Sequence, residues 1–502
     1  MSFIVNFPFF SIILAMFSGI ISSALNGKWA KRICILMLGI VLGLSACVLY
    51  YTVETGTEFT YMMGHFPAPW GNEIRAGVLE GFMATFFTLI MILSVLSGLG
   101  RIFSDVEPTK VNLFFVLVDM MMSSLLAMIY TNDLFTGYVF VEINTIATCG
   151  MIMIRQNGHG ILAAIRYFVM SQIGSGLFLI GISLLYDITG QLLMVPAREE
   201  VEHIISTGVY MTPFLLVIGL ISIGLGIKSG LYPFHSWIPD TYGYATPAAS
   251  AILSSLVSKG YIILLIKIFY RVIGFKNLFQ THILDILFVF GIIAMIMGSI
   301  DAIRQRDARR MIACSSVAQI GYIYMGIGLG TEAGMVASLF HILTHAATKA
   351  MLFLSVASLY EAVEGKTDYD SLRGVGYRNK LAGFTFLVGS LSMVGFPMLS
   401  GFVSKAFFAS AALESSTKMY FTWAALVIST TLNATYFLRM VVNIYALPQK
   451  GESVRGHYFL EERSPYTKTN GFVSIALIGL NLFLGMFSTH VVDLLMKGLS
   501  MF

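Results

Sequence analysis

Charge is what this sequence has least of. Only 12% of its 502 residues are Asp, Glu, Lys or Arg, against 57% hydrophobic, and the mean hydropathy is +0.80. Taking 57% of 502 gives about 286 apolar side chains, more than a soluble domain hides; at ~20 per membrane span they supply about 14 helices. A soluble enzyme and a disordered chain are excluded first. The balance of 31 cationic against 27 anionic residues, a net +4, supplies no basic footprint, so no nucleic-acid partner is expected. Cysteine is as scarce: Cys34, Cys47, Cys149 and Cys314 stand singly in apolar runs, without CxxC or comparable ligand spacing. That excludes an iron–sulfur cluster in this chain and leaves buried, inert thiols as the expectation. The apolar run from Phe3 to Leu25 has no positive region before it and no obvious small-residue cleavage site, so it reads as a retained span.

What is there is a series of apolar segments near 3–25, 33–51, 78–99, 111–130, 132–153, 161–185, 209–238, 245–270, 281–300, 312–330, 333–361, 383–413, 419–446 and 469–496, spans 1 to 14 in chain order. Sorting Lys and Arg by loop tests this count. Odd-numbered connections hold Lys28, Lys31, Arg32, Arg101, Lys110, Arg155, Arg304, Arg306, Arg309, Arg310, Lys366, Arg373, Arg378, Lys380, Lys450, Arg455, Arg463 and Lys468; even-numbered connections and the termini hold only Arg75, Arg198, Arg271, Lys276, Lys418 and Lys497. Positive charge gathers in cytoplasmic loops, so the odd connections are expected inside and both termini outside.

Seven cations then fall within spans: Arg166, Lys228, Lys259, Lys267, Lys349, Lys405 and Arg439. Arg166, Lys267 and Arg439 lie near a membrane face, where long side chains snorkel to headgroups. The other four sit deeper, at about 2.5–3.5 kcal/mol each on insertion scales, and are functional candidates by default. Glu142 in span 5 and Asp119 in span 4 supply buried negative charge; a structural ion pair is the competing reading for this group.

Span 7 contains IGLGIKSGLYPFHSWIPDTYG, with Lys228 among glycines and with Pro233 and Pro239 expected to open the helix. Span 12 contains GSLSMVGFPMLSGFVSKAFFAS, broken at Gly395 to Pro397 beside Lys405. Two interrupted helices with a lysine each, an odd number of spans apart, predict an inverted repeat of spans 4–8 on spans 9–13, a transporter pattern. The segment boundaries are then 1–104 for the peripheral spans 1–3, 105–275 and 276–446 for the repeats, and 447–502 for a cytoplasmic loop with span 14. In span 11, His341, His345 and Lys349 recur every four residues, a stripe about 12 Å long on one helix face. It suits a hydrated proton relay; a histidine-pair metal site would need a third ligand that the sequence does not place nearby. A buried lysine sheds its proton more easily as its carboxylate partner moves away, and Lys228 with Glu142 would be such a pair. At about 4 Å and an effective dielectric near 20 the attraction is about 4 kcal/mol, comparable to moving a charge through 100–200 mV at about 2.3 kcal/mol per 100 mV.

At these residues the chain resembles the antiporter-like subunits shared by respiratory complex I, Mrp cation/proton antiporters (the Mrp D type) and membrane-bound energy-converting hydrogenases. The resemblance covers roughly residues 105 to 445 and rests on FVEIN around Glu142, KSGLYPFHSWIPDTYGYATPAASAIL from Lys228, SSLVSKGYIILL around Lys259, DARRMIACSSVAQIGY from Asp307 with HILTHAATKAMLFL, and GFPMLSGFVSK ending at Lys405. It implies an all-α fold of about fourteen transmembrane helices, with two inverted five-helix half-channels joined by a central hydrophilic axis. Glu142 and Lys228 match the family's first charge pair, Lys259 its bridging residue, His341, His345 and Lys349 its second-half polar stretch, and Lys405 its second-half lysine; Asp119 matches none of these. Lysine at 405, the chain's end soon after span 14, and the phrase DTYGYATPAASAIL lean toward the Mrp D and hydrogenase branch. Implied partners are other membrane subunits, the bilayer, H+ and also Na+. Iron–sulfur clusters, a Ni-Fe centre, flavin or quinone would sit in partner subunits, with no metal or cofactor held here. The expected function is ion translocation within a redox-driven pump, with an Mrp Na+/H+ antiporter component as the alternative; a stand-alone solute transporter and a purely structural subunit are the rivals from other classes.

Overall fold

The computed structural model describes residues 3–66, 71–363, 368–447 and 468–502. Lys366, Lys450, Arg455 and Arg463, and with them most of the loop expected before span 14, lie outside the described residues. Among the described residues thirteen helices are long and apolar enough to cross a membrane: Phe3–Ser23, Gly27–Thr55, Val78–Asp105, Pro108–Tyr130, Leu134–Met153, Gly158–Thr189, Met211–Ser229, Pro247–Ile273, Ile283–Arg304, Ala308–Gly328, Glu332–Glu361, Met419–Ile444 and Thr469–Met486. Span 12 is divided into Lys380–Val394 and Ser400–Ala411, each too short to cross alone. The chain is an all-α polytopic membrane protein of about fourteen spans.

Three spans are interior: spans 8, 10 and 11 are buried through their apolar centres, although by hydropathy alone span 11 does not differ from the peripheral span 13, nor span 8 from the peripheral span 6. Helices shielded from lipid by other helices tolerate Ser, Thr, His and Lys, because neighbouring protein groups receive the hydrogen bonds that lipid does not. Spans 1, 2, 6, 13 and 14 ring them and present Phe17, Tyr50, Ile165, Val442 and Phe472 outward.

Glycine sets the closest helix approaches. A Cβ on Gly224 of span 7 would lie 2.7 Å from the Gly174 carbonyl of span 6, and one on Gly321 of span 10 would lie 2.6 Å from the Gly291 carbonyl of span 9. Small residues at such crossings bring backbones into van der Waals contact where no hydrophobic effect drives helices together. Span starts are fixed by side-chain caps, Asn26, Asp133, Asn157, Asp307 and Thr331 each accepting from a backbone N–H in the first turn. Asp119 ties span 4 to span 1, accepting from Ser18 (2.7 Å) and Ser22 (3.4 Å).

Several expectations need correction. Residues expected as loop form an antiparallel hairpin, Phe59–Met62 with Glu73–Ala76, and a surface helix, Met194–Thr207. Span 14 ends at Met486, and a second helix, Ser488–Leu499, follows. Cys47 is exposed and Cys149 only partly buried, so the expectation of buried thiols holds for Cys34 and Cys314 alone. Lys267 does not snorkel: its side chain is 0% exposed and donates to the Ile129 and Thr131 carbonyls at 2.5 and 2.6 Å. Arg271 and Arg309 are not loop residues but buried ones, inside spans 8 and 10. In each case the cation reaches backbone carbonyls or carboxylates of other helices, partners that hydropathy along one strand of sequence does not register.

Candidate functional site

Span 7 stops at Gly230, whose φ of +80° is the left-handed conformation that ends a helix, with its N–H on the Gly226 and Ile227 carbonyls. The chain turns through Pro233 and resumes as Ile238–Tyr244, where Pro239 stands in the first turn and needs no N–H partner. Pro239 therefore starts a helix; the interruption itself runs from Gly230 to Trp237. Lys228, in the last turn before the break, is 0% exposed at its side chain and stands 3.5 Å from Glu142 Oε1, with Thr145 Oγ1 at 2.5 Å. Glu142 Oε2 accepts from Gln172 Nε2 at 3.3 Å. The Tyr261 ring lies 5.8 Å from Lys228 Nζ, and the Tyr261 hydroxyl continues to Asn144 (3.0 Å) and from there to Ser124 (2.8 Å).

Lys259 follows a π-helical turn, Leu253–Val257, in the middle of span 8. The wider turn displaces the Ser254 carbonyl from regular pairing, and Lys259 Nζ donates back to it and to Ser258 Oγ (3.1 Å). Buried, and with no carboxylate in reach among the described residues, it depends on neutral oxygens. This π-helical turn packs against span 11, where His341 and His345 lie nearly parallel with ring centroids 6.1 Å apart. His341 Nδ1 meets Ser404 Oγ of span 12 at 2.7 Å, while its Nε2 and both ring nitrogens of His345 have no protein partner. Lys349 donates to the Ile312 carbonyl (2.8 Å) and to Ser315 of span 10. Buried polar atoms are nearly always hydrogen-bonded, so the unpartnered imidazole nitrogens, with Thr344 Oγ1 and Gln319 Nε2 beside them in the same core, call for water.

The second break is built differently. Gly395 (φ +96°) ends Lys380–Val394, Pro397 lies in the non-helical stretch, and Lys405 comes after the break, not before it. Its Nζ reaches back to the Met393 (3.0 Å) and Val394 (2.8 Å) carbonyls, which no helical N–H satisfies. Lys405 thus caps the interrupted helix, whereas Lys228 faces a carboxylate. Lys405→Met is expected to lower the detergent-phase melting temperature of the chain, since it abandons two part-buried carbonyls and a fully buried one costs about 1–3 kcal/mol, while Lys228→Met is expected to leave it within a degree or two. Differential scanning fluorimetry of the two variants checks this.

Thr145, Gln172, Ser315 and Ser404 each bond one of the candidates, and none of them stands out in the sequence; nor does Ser229, whose hydroxyl lies 2.9 Å from Tyr324 OH and links span 7 to span 10. Among the described residues no group of three or more His, Cys, Asp or Glu is placed to hold a metal ion.

Residues 131–433, which contain all seven candidate residues, match the family described as NADH:quinone oxidoreductase/Mrp antiporter, TM. The chain belongs to that antiporter family. A NADH-quinone oxidoreductase subunit N from Desulforudis audaxviator is 32% identical over 419 residues, 82% of this chain and 80% of the relative. The D-type component of the Na(+)/H(+) antiporter of Alkalihalophilus pseudofirmus is 28% identical over 344 residues, 68% of this chain and 67% of the relative. In fold the chain is similar to a chain of the Mrp complex from Dietzia sp., with a TM-score of 0.87 at 20% identity, covering 100% of this chain and 97% of that one. Its spans and its membership in the antiporter family make this a multi-pass membrane protein, and the relatives named are themselves subunits of larger complexes.

Proposed function

We propose that this chain is the ion-translocating subunit of a multisubunit, redox-driven pump in a prokaryotic cell membrane, with both termini on the outside. It moves H+, or exchanges H+ for Na+, through Glu142, Lys228, Lys259, His341, His345, Lys349 and Lys405. The observation that carries this reading is the Glu142–Lys228 pair. A lysine with no exposed side-chain surface, at the end of a broken helix and 3.5 Å from its carboxylate, has a charge state that responds to that distance. Residues 105–275 and 276–446 serve as two inverted half-channels. An ion crosses by way of Lys228, Lys259, the hydrated histidine stripe and Lys405, and leaves when the Glu142–Lys228 pair rearranges. Iron–sulfur clusters, a Ni-Fe centre, flavin or quinone, where the complex uses them, are held by partner subunits. The greater identity and coverage against a quinone oxidoreductase component support the redox-driven form.

The second reading, a D-type component of an Mrp Na+/H+ antiporter without a redox partner, is favoured by the match to the antiporter component of Alkalihalophilus pseudofirmus. Gentle purification of the native complex followed by mass spectrometry separates the two. Copurifying iron–sulfur, hydrogenase or quinone-site subunits are expected; recovery with small hydrophobic membrane subunits alone would establish the antiporter reading instead. Solute uptake by the isolated chain would overturn both.

A further inference from the structure

A second buried Glu–Lys pair lies outside all seven candidate residues, at the membrane face that carries the hairpin. Glu80, in the first turn of span 3, places Oε1 2.6 Å from Arg271 Nη2 and 4.0 Å from Lys267 Nζ, both on span 8, and the three side chains are at most 1% exposed. Its other oxygen accepts from the Gly77 N–H at 3.0 Å, so the carboxylate is fixed by its own helix start. Arg271 also reaches Glu58 at 3.4 Å, and Glu58 pairs with Arg75 across the hairpin. Glu73 joins through Asn132 Nδ2 at 2.6 Å.

Two features distinguish this cluster from a dry structural lock. First, it has more hydrogen-bonding capacity than the protein fills: Arg271 stacks on the Phe502 ring at 4.2 Å, but its Nε and Nη1, like Asn132 Oδ1, are buried without a hydrogen-bond partner, and Lys267 is held by neutral carbonyls with its carboxylate only at 4.0 Å. A lock that contributed only rigidity would satisfy its guanidinium, whereas unfilled donors and acceptors side by side are the mark of buried water. Second, a cleft lies one residue layer outside the cluster, reached through Glu58, which contacts Arg271 on one side and lines the cleft on the other. The cleft, of about 420 Å³, opens against the hairpin, and Glu58, Glu73 and Arg75 form its wall as well as the outer rim of the cluster. Inward, Lys267 stands eight residues beyond Lys259 on the same helix, about 12 Å along its axis.

We infer that Glu80, Lys267 and Arg271 form a hydrated proton-release port, a side branch that leaves the route to the histidine stripe at Lys259 and ends at the cleft behind the Phe59–Met62/Glu73–Ala76 hairpin. Glu80 is the acceptor, Lys267 the group that hands over the proton, and Arg271 the fixed charge that keeps the carboxylate in place. No bond other than a proton's is made or broken. The port rests on the proton-translocating reading above, and its test is arranged so that the two fail separately.

The complex is reconstituted in liposomes and proton flux is measured for the unaltered protein, Glu80→Gln, Glu80→Asp and Lys228→Ala. Glu80→Gln keeps the bond to Gly77 and is expected to assemble but lose roughly tenfold or more in flux, and Glu80→Asp to recover to within about threefold. In parallel, Lys267→Cys in membrane-embedded complex is treated with a positively charged, impermeant thiol reagent from the hairpin side, the protein with only its four own cysteines serving as blank. Modification of Cys at 267 is expected. Unchanged flux in Glu80→Gln, or protection of the introduced thiol in assembled complex, would overturn the port. If Glu80→Gln does not assemble, the thiol result decides. Full flux in Lys228→Ala, by contrast, would remove the route proposed through the first half-channel and leave the thiol measurement to judge the port by itself.

Discussion

Replacing Lys228 by alanine is expected to abolish ion translocation while leaving the complex assembled. At the observed 3.5 Å separation from Glu142, and with an effective dielectric near 20, the two charges attract by about 5 kcal/mol. That is more than three powers of ten in the relative population of paired and separated states, at about 1.4 kcal/mol per tenfold. Without the lysine the pair has no second state to switch to, and the ion loses its first intramembrane site. The structure tolerates the change because Glu142 keeps 20% of its side chain exposed and retains the Gln172 bond. Flux in liposomes is expected to fall below about a tenth of the unaltered value, a drop equivalent to at least ~1.4 kcal/mol in the barrier; Lys405→Ala is expected to fall as far and also to lower the melting temperature. Unchanged flux in both variants would sink the proposed route. Retained flux in a Lys228→Ala, Glu142→Ala double variant would favour a structural role for the pair.

The largest effect on folding is expected at a glycine, not at a charge. Gly321→Val would drive a Cβ to 2.6 Å from the Gly291 carbonyl and 2.7 Å from the Met295 nitrogen, backbone atoms that move only if spans 9 and 10 separate. Span 10 is wholly interior, so separation would also displace Ser315 and the Ile312 carbonyl that hold Lys349. Overpacking commonly costs about 1–3 kcal/mol and more where backbone must shift. The variant is expected to yield little or no monodisperse protein by size-exclusion chromatography in detergent. Gly176→Val and Gly219→Val are matched controls: nothing lies within 4 Å of a Cβ at either position, and normal yields are expected. Equal yields for all three would show that the crossing is not a close-packed one.

Much of this was legible in the sequence, because bilayer thickness converts composition directly into architecture. An apolar run of about 20 residues has one stable arrangement in lipid, so the number of spans, and the break in span 12 at Gly395 to Pro397, could be read without any tertiary information. Residue type alone identified Glu142, Lys228, Lys259, Lys349 and Lys405 as requiring explanation, since an ionisable group in an apolar run has a cost wherever it is placed. The hairpin and the Met194–Thr207 helix were not legible. Both lie between spans, where polarity is expected and periodicity is short.

What each charge touches was decided only by the tertiary structure. Lys267 and Lys259 look alike in sequence, eight residues apart in one apolar helix; packing gives the first a glutamate from span 3 and the second only neutral oxygens beside a π-helical turn. Lys228 and Lys405 look like counterparts at two helix breaks, yet one meets a carboxylate from span 5 and the other caps its own helix. Arg271, expected in a loop, is drawn inside by Glu80, 191 positions away in the chain (271 minus 80). The physical reason is common to all three. Hydropathy is a sum over neighbours along the chain, whereas the state of a buried charge is set at distances of about 3–4 Å by groups on other helices.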